Sequence, residues 1–445
     1  MSHPNAAFHR RIPALLSVAV AVALVSSACA STTPATSSAP TPAPSASPTA
    51  PASAAPAGSP VGSPSAGADA AADAVYDTVE TQVQAIRGLQ ATRPVARQLI
   101  TADELRTILT TEFDQETPPA SLAANERLYK ALGLIPADSS LRTLSLDLLS
   151  SGVAAFYRDD EGKLYVVSKT GEPGPTERFY FSHEFDHALQ DQNSTIFKDF
   201  HDVHDQSDEL LARQAIYEGD ATLLMTQWAA ANLTPADLGA LLAAGNDPVA
   251  QAVMARTPPI LSQTLQFPYT TGFAYVTNVQ SNGGWPAVNA YFSKMPRSTE
   301  QILHPEKYTS GEAPVAVTMP SDLASRLGDG WSVPLQDTFG ELQLGIWLRG
   351  AGVANADATK AAAGWGGDRL AVMDGPNDAW GVAIQTVWDT DADAVEFEAA
   401  AKTALEKAGG SAQVLPGAGG KTRWVVVASD PAVLGHVANA LGLGG

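Results

Sequence analysis

Disulfide bonds within the chain are excluded by arithmetic, because its 445 residues include a single cysteine, Cys29. Basic side chains are also scarce: 27 Lys and Arg stand against 47 Asp and Glu, a net charge of −20. Recognition of a phosphate backbone needs a surface of Lys and Arg, so no nucleic-acid partner is expected, and the acidity serves solubility. Long apolar runs are lacking too. The stretch from Ala14 to Val25 is shorter than the roughly 20 residues a membrane-spanning helix requires. No internal repeat is visible. What remains is 45% hydrophobic and 17% charged, enough apolar mass for a buried core and enough length for two domains.

Residues 1–29 read as an export signal, with His9-Arg10-Arg11 as the charged start, Ala14 to Val25 as the apolar part and Ser26-Ser27-Ala28 as the small residues before cleavage. The position of Cys29 resembles that in bacterial lipoprotein signals. The resemblance implies lipidation of Cys29 and a membrane anchor through that lipid. Ser26 departs from the pattern, which places an aliphatic residue there; Val25 stands one position earlier. The alternative is cleavage at an A-x-A site, Ala28-Cys29-Ala30, giving a secreted protein. Either way the expected location is extracytoplasmic.

From Ala30 to Ala72 the chain is nearly all Ala, Ser, Thr, Pro and Gly, and it is expected to be a disordered linker. As a flexible coil it would reach roughly 35–40 Å. Val75, Val79, Val83 and Ile86 then mark one face of a helix. Thr101 and Glu104 form a capping box for a second, carrying Leu105, Ile108 and Leu109. Helical patterns follow over 122–132 and 141–149, and "VAAFYRDDEGKLYVVS" (153–168) reads as a β-hairpin turning at Asp159-Asp160-Glu161-Gly162. After residue 336 the order is β-β-α-β-α, an antiparallel α+β unit in which "GWGGDR" (364–369) reads as a tight turn with an Asp368-Arg369 pair.

The chemistry concentrates in "FSHEFDHALQDQ", residues 181–192. On a helix His183 and His187 lie four apart on one face and present two imidazoles to one ion, with Glu184 beside the first of them. "RFYF" before the motif is apolar enough to bury the start of this helix behind a strand, and no Pro or Gly interrupts 181–190. Catalytic zinc needs a third protein ligand. The metzincin class is excluded, since Gln190 and Asn193 stand where it requires Gly and His. His201 and His204 are near in sequence, but their polar surroundings fit solvated loop residues better. Glu218 is the stronger candidate: it lies in an apolar helical pattern, "LARQAIYEGDATLL", where a carboxylate is costly unless paired or bound to metal.

Taken together, "HEFDH", "EGDAT" and "FPYTTGFAYVTN" are similar to the gluzincin zinc peptidases, over residues 150–310. The resemblance implies a mainly helical, zincin-like catalytic domain over 73–335 with a small β-sheet, followed by a smaller α+β domain over 336–445. It implies Zn2+ on His183, His187 and Glu218, Glu184 as general base, Tyr269 as donor to the tetrahedral oxyanion, and a peptide or protein substrate. Two departures stand out. The 31 residues from His187 to Glu218 exceed the usual twenty or so and imply an inserted loop over 193–208. No G-x-M-E-N-like segment precedes the motif, so an endopeptidase is expected, with the strand "KLYVVS" pairing an extended substrate. Asp186 and Asp220 are candidates for orienting the imidazoles, although exposed helix acids are the commoner meaning. His304 is weighed as an extra oxyanion donor against a capping role. The rival reading is a non-catalytic surface lipoprotein that keeps the scaffold for binding. Oligomeric state is not legible.

Overall fold

The computed structural model describes residues 18–20, 66–168 and 172–444. Cys29, most of the signal and most of the linker therefore lie outside the described residues. The fold is α+β: many helices, with two small β-sheets. Among the described residues no helix is long and apolar enough to cross a membrane.

The first sheet is built around the expected hairpin, β3 (Val153–Arg158) and β4 (Lys163–Val167). Strand β2 (Ala96–Ile100) lies parallel to β4, and the short β1 (Val18–Val20) lies antiparallel to β3, so the order is β1-β3-β4-β2. Strand β4, the "KLYVVS" segment, is thus paired on both sides and cannot take an added strand; β3 is flanked by β4 on one side and by Val18–Val20 on the other. Period-two alternation gives this sheet two apolar faces. Leu105, Leu109 and Phe113 of α2 (Ala102–Glu116) pack with Phe156 and Tyr165 on one face, and Leu149 of α4 (Leu141–Ser150) joins them. On the other, Ala155, Tyr157, Leu164 and Val166 meet Phe181, Phe185 and Leu189.

Those three residues belong to α5 (Pro175–Asn193), which starts at Pro175 and includes "RFYF" in its first turns. Every residue of α5 from Tyr180 to Gln190 is buried. Its apolar side faces the sheet; its polar side faces α7 (Ser207–Asn232), buried almost as continuously. The expected inserted loop between them holds a short helix, α6 (Ile196–His201). The first helix, α1 (Ala66–Arg87), begins inside the segment expected to be linker, because a run of Ala carries no apolar period yet favours helix. Its buried stripe runs Ala72, Tyr76, Val79, Val83 and ends in Arg87.

The second sheet, order β5-β6-β7-β9-β8, is antiparallel throughout. It comprises β5 (Ser332–Asp337), β6 (Trp365–Asp374), β7 (Trp380–Trp388), β8 (Ser411–Pro416) and β9 (Thr422–Ala428). One face buries Leu370, Val372, Ile384 and Val425 against Leu128, Trp347 and Phe397, a core continuous with helices on both sides of the expected boundary at 336. "GWGGDR" is the start of β6 and not a tight turn. Asp368 there accepts hydrogen bonds from the Phe339 and Gly340 amides (2.8 and 2.7 Å) and from Trp365 Nε1 (2.9 Å), whereas Arg369 donates to the Asp205 carbonyl.

Candidate metal centre

Helices α5 and α7 lie side by side, and a π-helical turn, Pro268–Gly272, packs across α7. Two glycines set this approach. A Cβ on Gly219 would stand 2.5 Å from the Gly272 carbonyl oxygen, and one on Gly272 would overlap the Ala215 carbonyl. Only backbone fits at this crossing. It brings Tyr269, three residues before one glycine, to Glu218, one residue before the other. The glycines of "EGDAT" and "PYTTG" thus have a joint physical reason.

His183, His187 and Glu218 converge, all at most 1% exposed. His183 Nε2 lies 3.1 Å from Glu218 Oε2 and 3.1 Å from His187 Nε2, and His187 Nε2 lies 3.3 Å from the same carboxylate oxygen. Three donors each about 2.0–2.1 Å from a tetrahedral ion would be separated by about 3.3–3.4 Å, so this triangle has the size of a zinc ligand set. Two nitrogens and one carboxylate oxygen are also the right chemistry for that ion. The residues present therefore fit zinc.

The far side of His187 fixes which nitrogen is free. Its Nδ1 lies 2.9 Å from Gln190 Oε1, and Gln190 Nε2 donates to the Tyr217 carbonyl (3.0 Å) and Asp220 Oδ2 (2.9 Å). With its amide so oriented, the Gln190 oxygen accepts from Nδ1–H, and Nε2 presents a lone pair to the triangle. Arg87, wholly buried, closes the far end: it donates to Asp220 Oδ2 (2.9 Å) and Asn289 Oδ1 (2.7 Å), lies 3.5 Å from Asp186 Oδ1, and stacks 4.4 Å over the Trp285 ring. Asp186 and Asp220 are thus not exposed helix acids. They orient His187 indirectly, by gripping Gln190 and Arg87. Sequence reasoning missed both of these. The available signals were Gln190 three residues past His187 on the same helical side, and an arginine in line with a buried apolar stripe.

The electrostatics follow from enclosure. Burial pushes the Glu218 carboxyl up, but the two imidazoles outweigh it and hold the group at about 2. Burial lowers His183. His187 is also disfavoured as a cation by burial, yet the Glu218 carboxylate raises it to about 10. A buried carboxylate between two imidazoles thus makes the triangle a place that favours positive charge.

Glu184, on the helical position after His183, is fully buried, and its Oε2 accepts from the Tyr157 amide of β3 at 2.8 Å. Tyr269 is 5% exposed, its ring centroid 6.2 Å from that of His183. Burial and then the Glu218 charge raise its phenol far above the usual range, so it stays a protonated donor. Phe197 and Tyr217 wall His187 edge-on, at ring distances of 6.1 and 5.6 Å.

Other candidates lie elsewhere. His204 is exposed and lines a separate cavity of about 1030 Å³ beside the second sheet, with Arg326, Arg369 and Trp424; the side chain of His201 is outside the described residues. His304 hydrogen-bonds Glu341 at 3.0 Å, tying α12 (Thr299–Leu303) to α15 (Gly340–Gly350). A second acidic group, Glu300, Glu312 and Asp389, is already filled by the Lys307 ammonium, 2.6–3.0 Å from all three.

No curated protein and no solved structure matches the chain. Residues 325–437 match one family, described as a domain of unknown function (DUF8575). That match covers the second sheet and leaves the His183–His187–Glu218 triangle outside it.

Proposed function

We propose that the chain is a zinc-dependent peptidase, hydrolysing peptide bonds in the manner implied by its likeness to gluzincins. The observation that carries this reading is the convergence of two imidazole nitrogens and one carboxylate oxygen, with Glu184 on the same helix. When bound, zinc supplies Lewis-acid polarisation and lowers the pKa of water to about 7. Glu184, held by the Tyr157 amide, takes the proton of the attacking water and returns it to the leaving amine. Tyr269 donates its hydroxyl to the developing oxyanion, a role for which its raised pKa keeps the proton in place. Gln190 keeps the His187 proton on Nδ1.

An endopeptidase reading places an extended substrate along β3, on the side away from β4. The Tyr157 amide reaches Glu184, and the residues before it, Val153–Phe156, pair with the extended Val18–Val20 segment on the side away from β4. An extended substrate would take the place of Val18–Val20, which the export-signal reading removes from the mature chain, and would run towards Glu184. The export signal and lipidation of Cys29 are proposed to place the protein outside the cytoplasm, on the membrane or secreted. The test is zinc content and cleavage of an unfolded protein by wild type beside Glu184→Gln.

A further inference from the structure

One face of the second sheet changes character along its strands. Ala371, Met373, Ala383 and Val426 are buried there under α14 (Leu323–Leu327) and α18 (Pro431–Ala440). Beyond them the same face turns polar. Arg369 of β6 stands opposite Gln385 of β7, and Gln385 opposite Trp424 of β9. Gln336 of β5 stands opposite Ala371, one diagonal step from Arg369. Side-chain alternation puts all four on one face, on neighbouring strands about 4.8 Å apart. They floor the cavity of about 1030 Å³, whose walls include Asp205, from the segment ahead of α7, and Asp322.

Acids outnumber bases by 47 to 27, so an arginine in this chain meets a carboxylate readily. Every described arginine except Arg349 and Arg369 has one within 4.0 Å. Arg369 donates to the Asp205 carbonyl instead, which uses one of its five N–H groups. The acids around it are engaged elsewhere: Asp337 accepts from the Ser207 and Thr338 amides, and Asp322 is paired with Arg326 at 2.8 Å. Among the described residues, the side-chain amides of Gln336 and Gln385 make no hydrogen bond to protein. A guanidinium fork without an acid, flanked by two uncommitted amides, thus faces a roomy cavity.

We infer that this cavity binds a carboxylate-bearing ligand, with the carboxylate on Arg369 and further polar groups of the ligand on Gln336 and Gln385. The planar fork of arginine matches a carboxylate with two parallel hydrogen bonds. Trp424 is 6% exposed and offers no ring face on which a sugar could stack. A phosphate, with nearly two charges, would be repelled by Asp205 and Asp322 at the walls more than a single carboxylate is. The volume has room for more than a small acid. The carboxylate could therefore belong to a free acid, to an acidic side chain of a peptide or to a peptide's C-terminus. The four floor residues all lie within 325–437, the part of the chain that matches DUF8575, so the inference does not draw on the zinc centre.

The experiment is calorimetric titration of Glu184→Gln protein, used so that peptides stay intact. The probes are glutarate, acetyl-Ala-Ala-Glu-Ala amide, its Gln counterpart, and acetyl-tetraalanine with a free C-terminal carboxylate. At least one carboxylate probe is expected to bind about tenfold or more tightly than the Gln peptide, and the one that binds best identifies the source. Adding Arg369→Gln is expected to remove that advantage to within about twofold, and Arg369→Lys, which keeps the charge without the fork, to remove most of it. Gln385→Leu, which leaves Arg369 in place, is expected to weaken the best probe severalfold. The inference is overturned if no carboxylate probe outbinds the Gln peptide. It is equally overturned if the best probe binds as tightly after Arg369→Gln in protein with an unchanged urea midpoint or, should that variant not fold, after Gln385→Leu.

Discussion

Replacing Gln190 by Leu tests how the chain prepares its metal ligands. The substitution keeps the volume near that of Gln but removes the acceptor 2.9 Å from His187 Nδ1 and the donors to the Tyr217 carbonyl and Asp220. Asp220 keeps Arg87. The His187 Nδ1–H does not keep a partner, and a buried donor so stranded costs about 1–3 kcal/mol. The ring escapes that cost by moving its proton to Nε2, where the Glu218 carboxylate accepts it in a charge-assisted bond contributing about 1.5–3 kcal/mol. Metal must then displace that proton, so zinc affinity should fall about 10- to 100-fold, the range also typical of lost outer partners of metal-bound histidines. Gln190→Glu makes the contrast. It keeps an acceptor for Nδ1–H but adds a third carboxylate beside Asp186 and Asp220, so folding stability should fall further than in Gln190→Leu while zinc affinity is retained. Competition with a chelating indicator at pH 7.5 measures the affinities, and urea unfolding the stabilities. Zinc binding by Gln190→Leu within twofold of wild type would refute the reasoning, as would equal losses in the two variants.

Gly272→Ala should destabilise by about 1–3 kcal/mol in urea unfolding, because its Cβ meets the backbone of Ala215; an unchanged midpoint would show that the α7 crossing is not tight. Tyr269→Phe should keep zinc at full stoichiometry while kcat drops about 10²- to 10³-fold, and a kcat near wild type would remove the oxyanion role. Stability should rise as pH falls from 7 towards 5. Burial raises Asp368 from 3.8 to about 6 and lifts Asp208 and Asp337 in the same direction, so the fold favours their protonated forms. For Asp368 alone that gap corresponds to about 3 kcal/mol, present in full below pH 3.8 and lost as pH rises through 6, so about 1.4 kcal/mol of it is regained by pH 5. Below about 4.5 the depressed Glu218 works the other way, and thermal midpoints falling steadily from pH 7 to 5 would contradict this ordering.

Much of the architecture was legible because period and caps are local. The Thr101–Glu104 capping box, the hairpin at Gly162 and the helical setting of His183 and His187 all form as their neighbours dictate. Reach across the chain was harder. "RFYF" carries β-favouring residues, yet Pro175 starts a helix ahead of it and both sides of that helix are covered, so tertiary burial decides. The long spacing from His187 to Glu218 is absorbed by α6, which no periodic stripe announces. In the candidate centre the three converging side chains were readable, being paired by helical spacing and by the cost of burying an acid. Gln190 and Arg87 were not, because their meaning depends on Asp220 of one distant helix and on Trp285 and Asn289 of another.

The central claim is that the buried triangle holds a zinc ion that serves chemistry and not only packing. Elemental analysis of purified wild type and Glu184→Gln, run beside cleavage of an unfolded protein, tests it most directly. The account predicts one zinc per chain in both, with cleavage falling about 10²- to 10⁴-fold in the variant. A wild type that neither carries nor takes up stoichiometric zinc, or a Glu184→Gln protein that cleaves as wild type does, would contradict it.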